Sequence, residues 1–329
     1  MLVEQDQSLK VSALIPTYNR RNYICRAINS VLAQTVPVDE IIVIDDGSTD
    51  GTREFIQDRY DRRIVVCRQE NQGVGAARRR AVEESHGDWV AFLDSDDEWL
   101  PERNAAFLSA AATAPENVAW IFGDTFFVTG PNGEGNSIFR EYGFVVEAKV
   151  QVLDRNFLGP AWNPRKPACS ILQSVFIRRS ALLELSCFAE GFRHTEDFVA
   201  TMQVASRYSF AAIPDIVTRL YRTLELLESS LEVNELRSMD HYVARIIGSA
   251  IAAKIAGRHP WGKLHEEMVR SLCKVRAEAD LPIRRLALDQ FKFGVSAKSV
   301  VFLAAAMCGP AIVRAGLLAK RKVRAIRAD

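Results

Sequence analysis

Glu40-Ile41-Ile42-Val43-Ile44-Asp45-Asp46-Gly47-Ser48-Thr49-Asp50-Gly51-Thr52-Arg53-Glu54-Phe55-Ile56-Gln57-Asp58-Arg59-Tyr60 reads as three things in succession. Residues 40–45 are a short apolar run of strand length, residues 45–51 a cluster of turn formers, and residues 52–60 a helical pattern. The alternation continues on both sides. Residues 11–16, 63–68, 89–94 and 118–122 read as further strands. Residues 22–33, 76–85 and 101–113 read as helices, the first with Ile24, Ala27, Ile28, Val31 and Leu32 on one face. Strands alternating with helices imply an α/β fold whose mostly parallel sheet is covered by helices. The turn cluster at 129–135 ends the alternation. Up to residue 222 the pattern is less regular, with strand-like pieces at 174–178, 211–213 and 216–221 and a helix near 197–207, and the last hundred residues read as helical.

The chain has 329 residues, 48% hydrophobic and 25% charged, a globular composition with enough apolar surface for a sizeable core. The 42 Lys+Arg against 41 Asp+Glu leave a formal charge of +1, so no global charge steers it to nucleic acid. Cys25, Cys67, Cys169, Cys187, Cys273 and Cys308 show no metal-type spacing, and residues 1–10 lack a signal-peptide core. Both features point to a reduced, cytoplasmic protein.

In an open parallel sheet, ligands bind beyond the carboxyl ends of the strands. Here the first strand runs into Pro16-Thr17-Tyr18-Asn19, the second into Asp45-Asp46-Gly47-Ser48, and the fourth into Asp94-Ser95-Asp96-Asp97. Carboxylates crowded on one rim raise each other's pKa unless a cation or a hydrogen-bonding ligand offsets them. A nucleotide with a hard, oxygen-liganded dication answers that cost. Taken singly, Asp46-Gly47-Ser48 also reads as a turn with Asp as a helix cap, and Asp94 to Asp97 as a capping cluster before Pro101.

Order and spacing change that reading. Residues 11–19, 39–52, Asn71-Gln72-Gly73-Val74-Gly75-Ala76-Ala77-Arg78 and 87–99 together resemble the family 2 nucleotide-sugar glycosyltransferases of the Rossmann-like GT-A fold, closely to about residue 101 and then by single motifs to 222. The resemblance implies a GT-A domain over 1–225, with a nucleotide-binding half at 11–128 and an acceptor half at 129–225, followed by a helical region at 226–329. It implies that Pro16, Thr17 and Tyr18 border the base, where an aromatic ring can stack. Asp46 is implied to accept a hydrogen bond from the base while Asp45 supports the loop, and Gly73 and Arg78 to approach the diphosphate. Asp94 and Asp96 match the D-x-D motif, the second acid binding Mg²⁺ or Mn²⁺ and the first leaning toward the ribose. Asp197, in Gly191-Phe192-Arg193-His194-Thr195-Glu196-Asp197, matches the acidic pair that opens a helix on the acceptor side and is implied to be the base of an inverting transfer. Thr195 and Asp197 as simple helix caps are the alternative.

Departures narrow the implied activity. Arg79 stands where the family often has Asn, and Leu224 where a His often follows Tyr221-Arg222. Gln203 to Tyr208 lacks the spacing and the Trp of the processive synthases, which favours addition of one sugar at a time. Apolar residues 300–307, the break at Gly309-Pro310 and the basic run 320–327 fit a segment lying on an anionic membrane surface, or a core helix with a basic tail. The expected activity is therefore inverting, metal-dependent, non-processive sugar transfer from a nucleotide-sugar donor, UDP-glucose by preference. The expected acceptor is a glycan or lipid-linked glycan of exopolysaccharide or surface polysaccharide synthesis, met at the inner face of the membrane. Trp162 and loop 160–167 are candidates for sugar stacking or ordinary packing. The alternatives are an inactive nucleotide-sugar-binding scaffold and a sugar-phosphate nucleotidyltransferase. The second would need a Gly-rich phosphate loop where Pro16 to Asn19 stands.

Overall fold

A computed structural model describes residues 9–60, 63–130, 132–153, 168–188, 196–205 and 207–221. The expected helical region and its membrane-surface segment lie outside these residues, as do loop 160–167, His194, Thr195, Arg222 and Leu224. No helix among the described residues is long and apolar enough to cross a membrane.

The first half alternates as expected: β1 (Val11–Thr17), α1 (Ile24–Leu32), β2 (Glu40–Asp45), α2 (Thr52–Arg59), β3 (Ile64–Arg68), α3 (Val74–Glu84) and β4 (Trp89–Phe92). Then come β5 (Glu98–Trp99), α4 (Arg103–Thr113), β6 (Val118–Val128), β7 (Gly135–Ser137), α5 (Ile138–Tyr142) and β8 (Gln151–Leu153). The last described elements are β9 (Val175–Arg178), α6 (Arg179–Glu184), α7 (Glu196–Ala205) and β10 (Ser209–Tyr221). One sheet runs in the order β3-β2-β1-β4-β9-β6-β10-β5. β3, β2, β1 and β4 pair in parallel, and so do β6 and β10. β9 is inserted antiparallel between β4 and β6, so all the long strands point their carboxyl ends to one rim. This is the GT-A arrangement of a mostly parallel sheet with flanking helices.

Several boundaries differ from the sequence-based expectation, among them the end of β6, which runs on from Phe122 to Val128, and two of the differences have a local reason. β4 stops at Phe92 rather than at Asp94, because the Asp97 N–H turns back to the Asp94 carbonyl at 3.1 Å and lifts the acidic loop off the sheet. The pieces at 211–213 and 216–221 join into the single strand β10, which passes Pro214 and Asp215 through register shifts against β6. Gly123 on β6 makes room for that irregularity: a Cβ there would lie 2.7 Å from Cγ1 of Val217.

Pro16 sits in a central strand, where a missing N–H is usually excluded. In β1, the even-numbered residues face β4, as the Leu93 N–H bonded to the Leu14 carbonyl shows. Pairing with β4 ends at Leu14–Phe92, so the donor that Pro16 lacks points where β4 has already departed. The core lies on both faces of the sheet. On one, Trp89, Phe176 and Phe107 form a continuous stack with centroids 5.0 and 5.3 Å apart, locking β4, β9 and α4 together.

Candidate active site

Three loops leave the rim side by side, and hydrogen bonds staple the first two together. The Asn19 N–H donates to Ser48 Oγ at 2.9 Å, and the Thr49 N–H donates to Asn19 Oδ1 at 2.9 Å. Asn19 adopts φ 51°, a left-handed conformation that Asn tolerates better than most residues. Asp45, fully buried, accepts the Ser48 N–H at 3.0 Å and so supports the turn. Thr17 is buried at the end of β1, whereas the Tyr18 ring is 45% exposed over the rim.

Asp46 is buried and faces the third motif. Its Oδ1 accepts from Gln69 Nε2 at 2.8 Å and from the Gln72 N–H at 3.0 Å, and its Oδ2 accepts the Gly73 N–H at 2.8 Å. The carboxylate thereby ties the β2 loop to the start of α3, keeping one Oδ2 lone pair for any further donor. Gly73 has φ 90° and ψ 163°, a region essentially reserved for glycine, with nothing within 4 Å of where a Cβ would stand. Gly73→Ala is therefore expected to destabilise the fold by about 1–3 kcal/mol through backbone strain alone, measured by urea unfolding. Unchanged stability would mean that the loop relaxes.

Arg78, buried on α3, points to two carboxylates rather than out to solvent. Its Nη2 donates to Asp94 Oδ1 at 2.7 Å, and its Nη1 donates to Glu196 in the first turn of α7. The other Asp94 oxygen accepts from Gln173 Nε2. The Glu196 carboxyl is pushed up to about 7, by burial above all and by neighbouring Asp197 and Asp94, against the opposing pull of Arg78. The two carboxylates in turn hold the Arg78 guanidinium firmly charged against its own desolvation. Arg79, the added positive charge of the sequence, and Arg80 reach Glu83 and Glu84 one turn along α3 at 3.9 and 3.4 Å. Arg80 also donates to the Arg68 carbonyl at 2.7 Å.

The acidic loop after β4 is held from several sides. Arg26 on α1 donates to the Asp96 carbonyl and lies 3.7 Å over the Tyr221 ring, and the Tyr221 N–H donates to Asp97 Oδ1 at 3.0 Å. Arg20 Nε lies 3.6 Å from Asp96 Oδ2, a side chain that remains 22% exposed. Gln173 sits in a short 3₁₀ turn (Leu172–Ser174), and its carbonyl and that of Val175 face Arg103 Nη2 at 3.5 and 2.7 Å. Arg103 is fully buried with Trp99 and Phe107 against its guanidinium plane, and desolvation lowers its pKa well below the ordinary value. Arg20, Arg26, Arg103 and Gln173 carry no motif in the sequence. Only their contacts single them out.

No group of three or more His, Cys, Asp or Glu side chains that could cage a metal is present among the described residues. The donor set nevertheless fits a hard dication of the Mg²⁺ type, which takes one or two carboxylates, retains waters and completes its shell with substrate phosphate. Asp94 and Asp96 are the carboxylates of the acidic loop that could supply such ligands, the first held through both oxygens and the second 22% exposed.

Comparison with known proteins adds the following. The family described as Glycosyl transferase family 2 matches residues 12–185. The glycosyltransferase TuaG of Bacillus subtilis (strain 168) is 48% identical over 96 residues, which are 28% of this chain and 38% of TuaG. The Escherichia coli protein named UDP-Glc:alpha-D-GlcNAc-diphosphoundecaprenol beta-1,3-glucosyltransferase WfgD is 28% identical over 232 residues, 70% of this chain and 82% of WfgD. Among the relatives matched at 45–48% identity, the chain spans 30–38% of their length. The crystal structure of S. aureus TarS 1-349 in complex with UDP superposes with a TM-score of 0.58 at 18% identity, covering 91% of this chain and 79% of that one, a likeness of fold.

Proposed function

The chain belongs to glycosyl transferase family 2, and from that premise we propose that this glycosyltransferase moves a sugar, with inversion, from a UDP-sugar to a lipid-linked glycan acceptor of surface polysaccharide synthesis. The observation that carries this reading is the convergence on one rim of an exposed aromatic ring, the acidic loop and the acidic first turn of α7. Tyr18 stacks on the base, and Pro16 and Thr17 shape the wall beside it. Asp46 holds the loop that carries Gly73, and its remaining lone pair accepts from the base. Asp94 borders the ribose from a fixed position. Asp96 holds Mg²⁺ or Mn²⁺ together with the diphosphate, and the ion, when bound, supplies positive charge against the charge developing on the leaving group.

Asp197 takes the proton from the attacking acceptor hydroxyl. It lies in the first turn of α7, at the positive end of the helix dipole. UDP as the nucleotide and a lipid diphosphate as the acceptor anchor follow the names of TarS bound to UDP and of WfgD. UDP-glucose is the donor of first choice on the same ground. A panel of UDP- and GDP-sugars with Mn²⁺, read by thermal shift and by donor hydrolysis, tests the proposal. One UDP-sugar is expected to raise the melting temperature and to be hydrolysed slowly. Absence of both effects with every sugar would refute the transferase reading, and binding without turnover on any acceptor would favour the inactive scaffold.

A further inference from the structure

We infer that Arg78 is a positioning residue that sets the donor floor and the base-bearing helix in one fixed relation; the inference rests on the reading of Asp197 as the base. Arg78 lies on α3, Asp94 on the loop after β4 and Glu196 on the first turn of α7, 16 and 118 residues away in sequence. Arg78 is 5% exposed and its Nη atoms are turned to the two carboxylates. A planar guanidinium can span two carboxylates at a fixed angle, whereas the single ammonium of Lys cannot serve both in that geometry.

The far side of Asp94 is fixed independently. Gln173 Nε2 donates to Asp94 Oδ2, and the carbonyls beside Gln173 face the buried Arg103. Asp94 therefore cannot shift without breaking a hydrogen bond on one side or the other. Glu196 directly precedes Asp197 on the same helical turn, so the pull on Glu196 sets where the Asp197 backbone starts. A guanidinium used in this way is withheld from the diphosphate, the role that its place after the Gly-rich loop would otherwise suggest.

The test compares wild type with Arg78→Lys, Glu196→Gln and the double variant. It reads UDP affinity with Mn²⁺ by calorimetry, and kcat and KM for the UDP-sugar that the wild type turns over. Misplacement by about 1 Å typically costs about 100-fold in rate. Arg78→Lys is therefore expected to keep UDP affinity within about 3-fold while kcat falls about 100-fold, and adding Glu196→Gln to it should cost little more, because both changes break the same contact. A 10-fold or greater loss of UDP affinity at near-normal kcat would make Arg78 a diphosphate ligand and overturn the inference, as would a wild-type kcat in Arg78→Lys. Should Arg78→Lys fail to fold, Glu196→Gln keeps the side-chain shape. Normal kcat in that variant overturns the inference, and a lowered kcat at unchanged UDP affinity upholds it. A wild type that neither binds UDP nor turns over any UDP-sugar overturns the donor reading itself, and the positioning role falls with it.

Discussion

Asp197→Asn is expected to lower kcat about 1,000-fold while leaving UDP affinity within a few-fold of wild type. Asn has the size and shape of Asp and caps helices equally well, so α7 should form with its first turn intact. What disappears is the capacity to accept a proton from the acceptor hydroxyl, a contribution generally of 100- to 10,000-fold. Asp197 is half-buried at the start of α7, within reach of the charge of Arg78 and next to Glu196. If Asp197 merely caps the helix, the Asn variant will turn over at the wild-type rate. Steady-state kinetics on the hydrolysed UDP-sugar, beside calorimetry with UDP, separates the two cases.

Asp96→Ala is expected to abolish the Mn²⁺-dependent rise in melting temperature given by UDP, and to lower kcat by about 1,000-fold, the several kcal/mol that a Lewis acid contributes to a developing charge. The change should spare the fold. Asp96 is partly exposed, its ionic contact with Arg20 is long at 3.6 Å, and the loop keeps the backbone anchors from Arg26 to the Asp96 carbonyl and from Tyr221 to Asp97. Asp94→Ala, by contrast, strips the partners from Arg78 and Gln173 and should lower stability without ligand as well. UDP stabilisation by Mn²⁺ that survives in Asp96→Ala would place the metal elsewhere.

These expectations depend unequally on sequence and on structure. Tyr18, Asp46, Asp94 and Asp96 could be placed on one rim from the sequence, because each follows a short apolar run and parallel strands end together. Their partners could not be placed. The resemblance implies that Asp46 is a contact for the base, and only the structure shows that most of its acceptor capacity is spent on Gln69, Gln72 and Gly73. Gln173 lies in a stretch without period or motif, and Arg103 occupies a helix where a charged residue reads as solvent-facing although it is fully buried.

The sequence alone determined the alternating α/β order and the acidic turns at the strand ends, because hydrophobic period and turn chemistry are local properties of the chain, and its ordered motifs carried the resemblance to the family. Only the tertiary structure decided that β9 enters the sheet antiparallel, that Pro16 meets no missing partner, and that Arg78 faces Asp94 and Glu196 while Arg79 and Arg80 pair along α3. The three arginines are consecutive and chemically identical. Helix geometry turns each about 100° from the last, and only the packing of α3 against the sheet selects which one is buried. The buried guanidinium of Arg78 finds its carboxylates 16 and 118 residues along the chain, a pairing settled by the fold rather than by spacing.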